Sequence, residues 1–106
     1  MGKKIAITST GKTEKSPLDL RFGKCHYLVI YDVDNNNYSI IENPYKDDNN
    51  SGINLVKYLN KNGVNAIITG EVGPKVNAYL EKEKFQLVLL NEEKIKIEDI
   101  LNRIKP

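Results

Sequence analysis

Cysteine and histidine are nearly absent from this chain of 106 residues, with one of each. Cys25 therefore has no partner for an intramolecular disulfide, and a closed zinc site is out of reach within one chain. Charge of one sign is also lacking. A formal net charge of +2 is too small and too dispersed to point to nucleic acid or a membrane surface. Lys3, Lys4, Lys12 and Lys15 form the only local excess and read as solvated surface. No apolar run is long enough to span a bilayer, and no signal peptide is visible. With the single cysteine, this leads us to expect a reducing, cytoplasmic setting.

Several catalytic devices are missing too. Thr10-Gly11-Lys12-Thr13 looks like the tail of a phosphate-binding P-loop, but the position of its first glycine is Ala6, inside a strand-like segment. Pro17 and an irregular stretch follow where the motif needs a helix. No Ser-His-Asp arrangement or paired acid and base assembles. Cys25-His26 sets a thiol beside an imidazole, yet neighbours in a regular strand point to opposite faces. They could share a metal only if Cys25 belongs to the preceding loop. Otherwise Cys25 is a small buried hydrophobe and His26 a strand residue.

What the chain does have is a regular alternation of short elements. At 40% hydrophobic and 28% charged residues it can bury a core, and its length fits a single domain over residues 1–106. Strand-like segments are expected at residues 4–8, 26–31, 38–41, 64–68 and 85–89. Asp34-Asn35-Asn36-Asn37 is turn chemistry and makes a hairpin of the second and third. Helical spacing appears in Leu55, Val56 and Leu59, in Val76, Tyr79 and Leu80 after Pro74, and in Ile97, Ile100, Leu101 and Ile104. Asn62-Gly63 closes the first helix. Glu98 and Asp99 near the start of the last, with Arg103 near its end, suit the helix dipole.

The resulting order βββαβαβα calls for a mixed sheet with right-handed crossovers. Such sheets bind ligands beyond their carboxyl ends, here at residues 8–11 and 69–73. Thr69-Gly70-Glu71-Val72-Gly73-Pro74 turns from a buried strand into a helix and offers backbone N–H groups to an anion, although an ordinary strand-to-helix turn would read the same way. Two long polar connections, residues 9–23 and 43–52, lie on the same edge. Within them, residues 13–18 and 46–50 offer little to bury and are expected to be mobile without ligand.

Arg21-Phe22-Gly23-Lys24-Cys25-His26-Tyr27-Leu28-Val29-Ile30-Tyr31-Asp32 resembles a segment of the dinitrogenase iron–molybdenum cofactor biosynthesis family. So, in order and spacing, do Glu42-Asn43-Pro44, Ser51-Gly52-Ile53 and residues 63–74. The resemblance covers nearly the whole chain. It implies a ribonuclease H-like three-layer α/β/α fold, with a five-stranded mixed sheet of order 3-2-1-4-5 and one antiparallel strand. It also implies a non-enzymatic carrier or scaffold for an anionic iron–sulfur or iron–molybdenum-type cluster. Metallocluster donor and acceptor proteins would be its partners, and the chain a monomer or weak homodimer.

By register Cys25 matches the family's cysteine and would ligate iron. Thr10, Gly11, Arg21, Gly23, Ser51, Gly52, Thr69, Gly70, Glu71 and Gly73 are the expected cluster-binding residues. Arg21 stands where the family has a histidine. It cannot ligate a metal, but it can pair with an anionic cluster. Ribonuclease H-like catalysis is excluded, because two-metal cleavage needs a carboxylate on the opening strand and Lys3-Lys4-Ile5-Ala6-Ile7-Thr8 has none. A regulatory or interaction module using the same edge for a small anion or a partner is the alternative.

Overall fold

A computed structural model describes residues 3–92 and 94–105. The chain runs β1 (Lys4–Ser9), β2 (Tyr27–Asp32), β3 (Asn37–Glu42), α1 (Ser51–Lys61), β4 (Ala66–Thr69), α2 (Pro74–Lys82), β5 (Gln86–Leu89) and α3 (Ile97–Ile104). One sheet holds all five strands in the order β3-β2-β1-β4-β5. β2 is antiparallel to β1 and β3, whereas β1–β4 and β4–β5 are parallel, so β2 alone runs against the rest. Order and direction agree with the sequence expectation.

Alternation along the strands divides the core in two. Ile5, Ile7, Val29, Tyr31, Ala66 and Ile68 pack against α3 through Ile97, Ile100 and Leu101. Ala6, Leu28 and Ile67 face the other way, against Leu55, Val56 and Leu59 of α1 and Leu80 of α2. Three layers result, with two helices on one face and one on the other.

The fourth strand starts later than its apolar run. Gly63 takes φ +81°, and the Val64 N–H turns back to the Leu59 carbonyl at 3.0 Å, so Val64 closes α1 instead of opening β4. The left-handed cap read from Asn62-Gly63 is in place.

Residues 13–18 differ from expectation more sharply. Their carbonyls cap α3: Ile97 N–H donates to Ser16 O and Glu98 N–H to Glu14 O, each at 2.9 Å. Lys15 pairs with Glu98 at 3.0 Å, and the Tyr38 hydroxyl reaches Glu14 at 2.7 Å. Leu18 is buried against the α3 layer. The segment read as loose is therefore tethered by main-chain bonds at its middle and by a buried side chain at its end. Composition understated this because the partners are carbonyls, which every residue carries.

From Leu18 the chain crosses the top of the sheet. Asp19 N–H donates to Thr8 O and Glu71 N–H to Leu20 O, both at 2.9 Å, so the crossing lies along the carboxyl ends of β1 and β4. Phe22 then plunges into the core on the α1–α2 side. This crossing places the site.

Candidate functional site

After Phe22 the chain makes a tight turn, closed by Cys25 N–H to Phe22 O at 3.3 Å. One buried side chain clamps it. Asn43 Nδ2 donates to the carbonyls of Gly23 and Cys25 at 3.0 and 2.9 Å, while its Oδ1 accepts the Tyr45 N–H at 2.9 Å. The turn's tip presses onto the start of α1. A Cβ on Gly23 would lie 2.6 Å from Gly52 N and 2.7 Å from Ser51 Oγ. Only a glycine allows that approach.

Between this turn and the two helices on its side lies a cleft of about 470 Å³. It is lined by Arg21, Gly23 and Lys24, by Ser51 and Gly52 of α1, and by Glu71, Gly73 and Val76. Phe22 and Val72 supply apolar lining. Six of the residues expected from sequence to bind a cluster line this cleft: Arg21, Gly23, Ser51, Gly52, Glu71 and Gly73.

Backbone geometry makes the cleft suitable for an anion. The first turns of α1 and α2 both open onto it, and neither helix has a side-chain cap. Among the described residues no carbonyl outside the helices takes the N–H groups of Gly52, Ile53, Lys75 or Val76. First-turn N–H groups have no acceptor within their own helix, so the two helix starts that line the cleft, through Ser51, Gly52, Gly73 and Val76, bring unmatched donors and two dipole ends to its edge. The start of α3 is the contrast, since residues 14 and 16 already satisfy it.

Side-chain charge, by contrast, is balanced. Arg21 is 54% exposed and pairs with a carboxylate only 4% exposed, Asp19, at 3.2 Å. Lys24 Nζ donates to the Asp48 carbonyl at 2.7 Å, and Glu71, beside Arg21 in a parallel bridge, is exposed. Arg21 and Lys24 are thus matched by Asp19 and Glu71. The positive end of the cleft comes from the helices.

The remaining expected residues lie elsewhere. Thr10 and Gly11 belong to the turn that leads toward α3. Gly11 N–H donates to Ser9 Oγ at 3.2 Å, and Thr10 N–H to Pro17 O at 3.1 Å, so neither amide is offered to a ligand. Thr69 is fully buried at the end of β4, its Oγ1 2.8 Å from Thr8 Oγ1. At Gly70 a Cβ would meet Leu20 Cα at 2.6 Å, so this glycine admits the crossing chain and leaves no room for a ligand on that side.

Cys25 also departs from its expected role. It is wholly buried in the α1–α2 core, with Asn43 Nδ2 3.6 Å from its sulfur. Burial pushes the thiol up to about 12, the nearby Asp19 charge adding to this. A metal ligand must be a thiolate with open access, and in this conformation Cys25 is neither ionised nor reachable. His26, just before β2, is exposed. Among the described residues no group of three or more His, Cys, Asp or Glu side chains could hold a metal ion. Side-chain ligation of a metal does not fit this site. No helix of the described chain is long and apolar enough to cross a membrane.

Sequence reasoning missed Asp19 and Asn43 as parts of this region. Asn43-Pro44 directly after a strand was the available signal for a clamping side chain, because Asn in that setting bonds its own backbone two residues on.

Comparison with known proteins agrees with this architecture. The orange protein from Desulfovibrio gigas, solved in its apo form, is 25% identical with a TM-score of 0.83, over 94% of this chain and 84% of that one. A NifB-type protein from Thermotoga is also 25% identical, with a TM-score of 0.79 over 96% and 85%. A dinitrogenase-type protein from Methanocaldococcus jannaschii, at 20% identity and a TM-score of 0.64 over 95% and 86%, shares the fold. Among curated proteins no relative is found. The sequence profile of the dinitrogenase iron–molybdenum cofactor family, however, matches residues 3–106, and on that match over the whole described chain the protein belongs to this family.

Proposed function

We propose that the protein is a non-enzymatic carrier that holds a preassembled, anionic iron–sulfur-type cluster in the cleft without a protein–metal bond. The observation that carries this reading is the convergence of two uncapped helix starts on one open cleft. Their N–H groups would donate to bridging sulfides or to anionic end ligands. Phe22, Val72 and Val76 give apolar contact to the soft, weakly hydrated surface of such a cluster. A small hard oxoanion gains nothing from those walls, and the balanced side chains give it no net charge to answer. A cargo held only by hydrogen bonds and contact can be passed on intact, which suits transfer between a donor and an acceptor protein.

The test uses a synthetic cuboidal iron–sulfur cluster bearing small thiolate ligands, titrated anaerobically into the protein. The expected result is co-elution of visible absorption with the protein in one-to-one ratio. Glu71→Gln removes the one carboxylate that lines the cleft and should tighten binding a few-fold, the scale of one exposed charge. Protein that elutes colourless at every cluster concentration would sink the carrier reading and favour an interaction module.

A further inference from the structure

Asp19 stands out as a carboxylate buried at the carboxyl end of the sheet. Desolvating a carboxylate costs several kcal/mol, and a half-exposed arginine has no need of an ionic partner. Yet Asp19, 4% exposed, commits both oxygens to Arg21. Oδ1 accepts the Arg21 main-chain N–H at 3.0 Å and Nε–H at 3.2 Å, while Oδ2 accepts Nη2–H at 3.3 Å. Asp19 is itself anchored to the end of the sheet. Its N–H donates to Thr8 O at 2.9 Å, and its carbonyl accepts the Thr8 hydroxyl at 2.6 Å, beside Thr69. An unbroken set of bonds therefore runs from the carboxyl ends of β1 and β4 to a guanidinium on the cleft wall.

We propose that Asp19 is the positioning residue of the cleft: it locks the Arg21 fork against the sheet and cancels its net charge. Of the five guanidinium N–H donors, two are spent on Asp19 and three are left for cargo. Arg21 then acts as a fixed set of directional donors, where a free arginine would act as a mobile charge. The cleft selects by donor geometry and contact, and long-range attraction contributes little. This deepens the carrier reading above and rests on it.

Asp19→Asn keeps an oxygen for the Arg21 main-chain N–H but sets an amide N–H₂ against the fork. Arg21→Lys keeps the charge and loses the fork. With the same thiolate-capped iron–sulfur cluster as probe, each variant should weaken binding about tenfold, the worth of one hydrogen bond to a charged group. The double variant Asp19→Asn/Arg21→Ala should bind no more weakly than Arg21→Ala alone, because Asp19 acts only through Arg21. Binding to Asp19→Asn should also weaken more steeply with salt, since Arg21 then carries an uncancelled charge.

A second readout needs no cargo. The Arg21 Nε–H should exchange slowly with solvent in the wild-type protein and rapidly in Asp19→Asn. Wild-type affinity in Asp19→Asn, additive losses in the double variant, or equal exchange in both proteins would each overturn the role of Asp19. If the wild-type protein binds no cluster, the carrier reading falls, and Nε–H exchange alone decides whether Asp19 fixes Arg21.

Discussion

Between pH 9 and about 12 the wild-type protein should lose stability relative to its Cys25→Ala variant, at about 1.4 kcal/mol per pH unit. The sign follows from which state keeps the proton. The folded chain holds the Cys25 thiol protonated up to about 12, whereas in the unfolded chain it ionises near 9. Above that lower value the unfolded state binds fewer protons, so rising pH favours unfolding. The full contribution is present below pH 9 and is gone once the folded thiol ionises. All other titratable groups are common to both proteins and cancel in the difference. Denaturant unfolding of the two proteins at a series of pH values, under reducing conditions, measures it. A flat difference would mean that the sulfur meets solvent in the native state.

The same burial reverses what the sequence suggests about Cys25. A cysteine in register with a family cysteine reads as an iron ligand, yet its sulfur sits within the α1–α2 core and Asn43 holds the turn above it. Cys25→Ser should therefore leave cluster binding within twofold of wild type, provided the variant is folded. The alternation of apolar segments made strand order and direction legible, because burial on one or both faces imposes the period directly. Side-chain direction at a loop-to-strand junction has no such period. Whether Cys25 faced cleft or core depended on where β2 begins, and a shift of one residue reverses the answer.

The glycines show the same limit in another form. Gly23, Gly52 and Gly70 are all among the residues expected from sequence to bind a cluster. In each a backbone or side chain does come close, but it belongs to the protein: Gly52 to Gly23, Val76 to Gly52, Leu20 to Gly70. The residue type signals close approach and does not say by what. Asp19 was illegible for a related reason. A lone aspartate in a polar stretch looks solvated until the fold buries it, and only then does its pairing with Arg21 become unusual.

Two glycines of one turn should respond to substitution in opposite ways. Gly70→Ala should lower unfolding free energy by about 3 kcal/mol, the upper end of overpacking costs. Its Cβ would stand 2.6 Å from Leu20 Cα, a main-chain atom that cannot rotate aside. Relief requires moving the crossing segment, which breaks the Glu71 N–H to Leu20 O bond and shifts Arg21 with it. Gly73→Ser should instead raise stability by a few tenths of a kcal/mol. Gly73 is the N-cap of α2 with φ −72° and ψ 164°, a conformation any residue adopts, and a Cβ there meets nothing within 4 Å. A serine hydroxyl at that position caps the first-turn N–H groups that glycine leaves open. Those are the groups assigned to the cargo, so the more stable variant should be the weaker binder. Thermal unfolding and cluster titration on the two variants separate the effects. If Gly73→Ser is more stable and binds the cluster as well as wild type, the first turn of α2 is not part of the anion site.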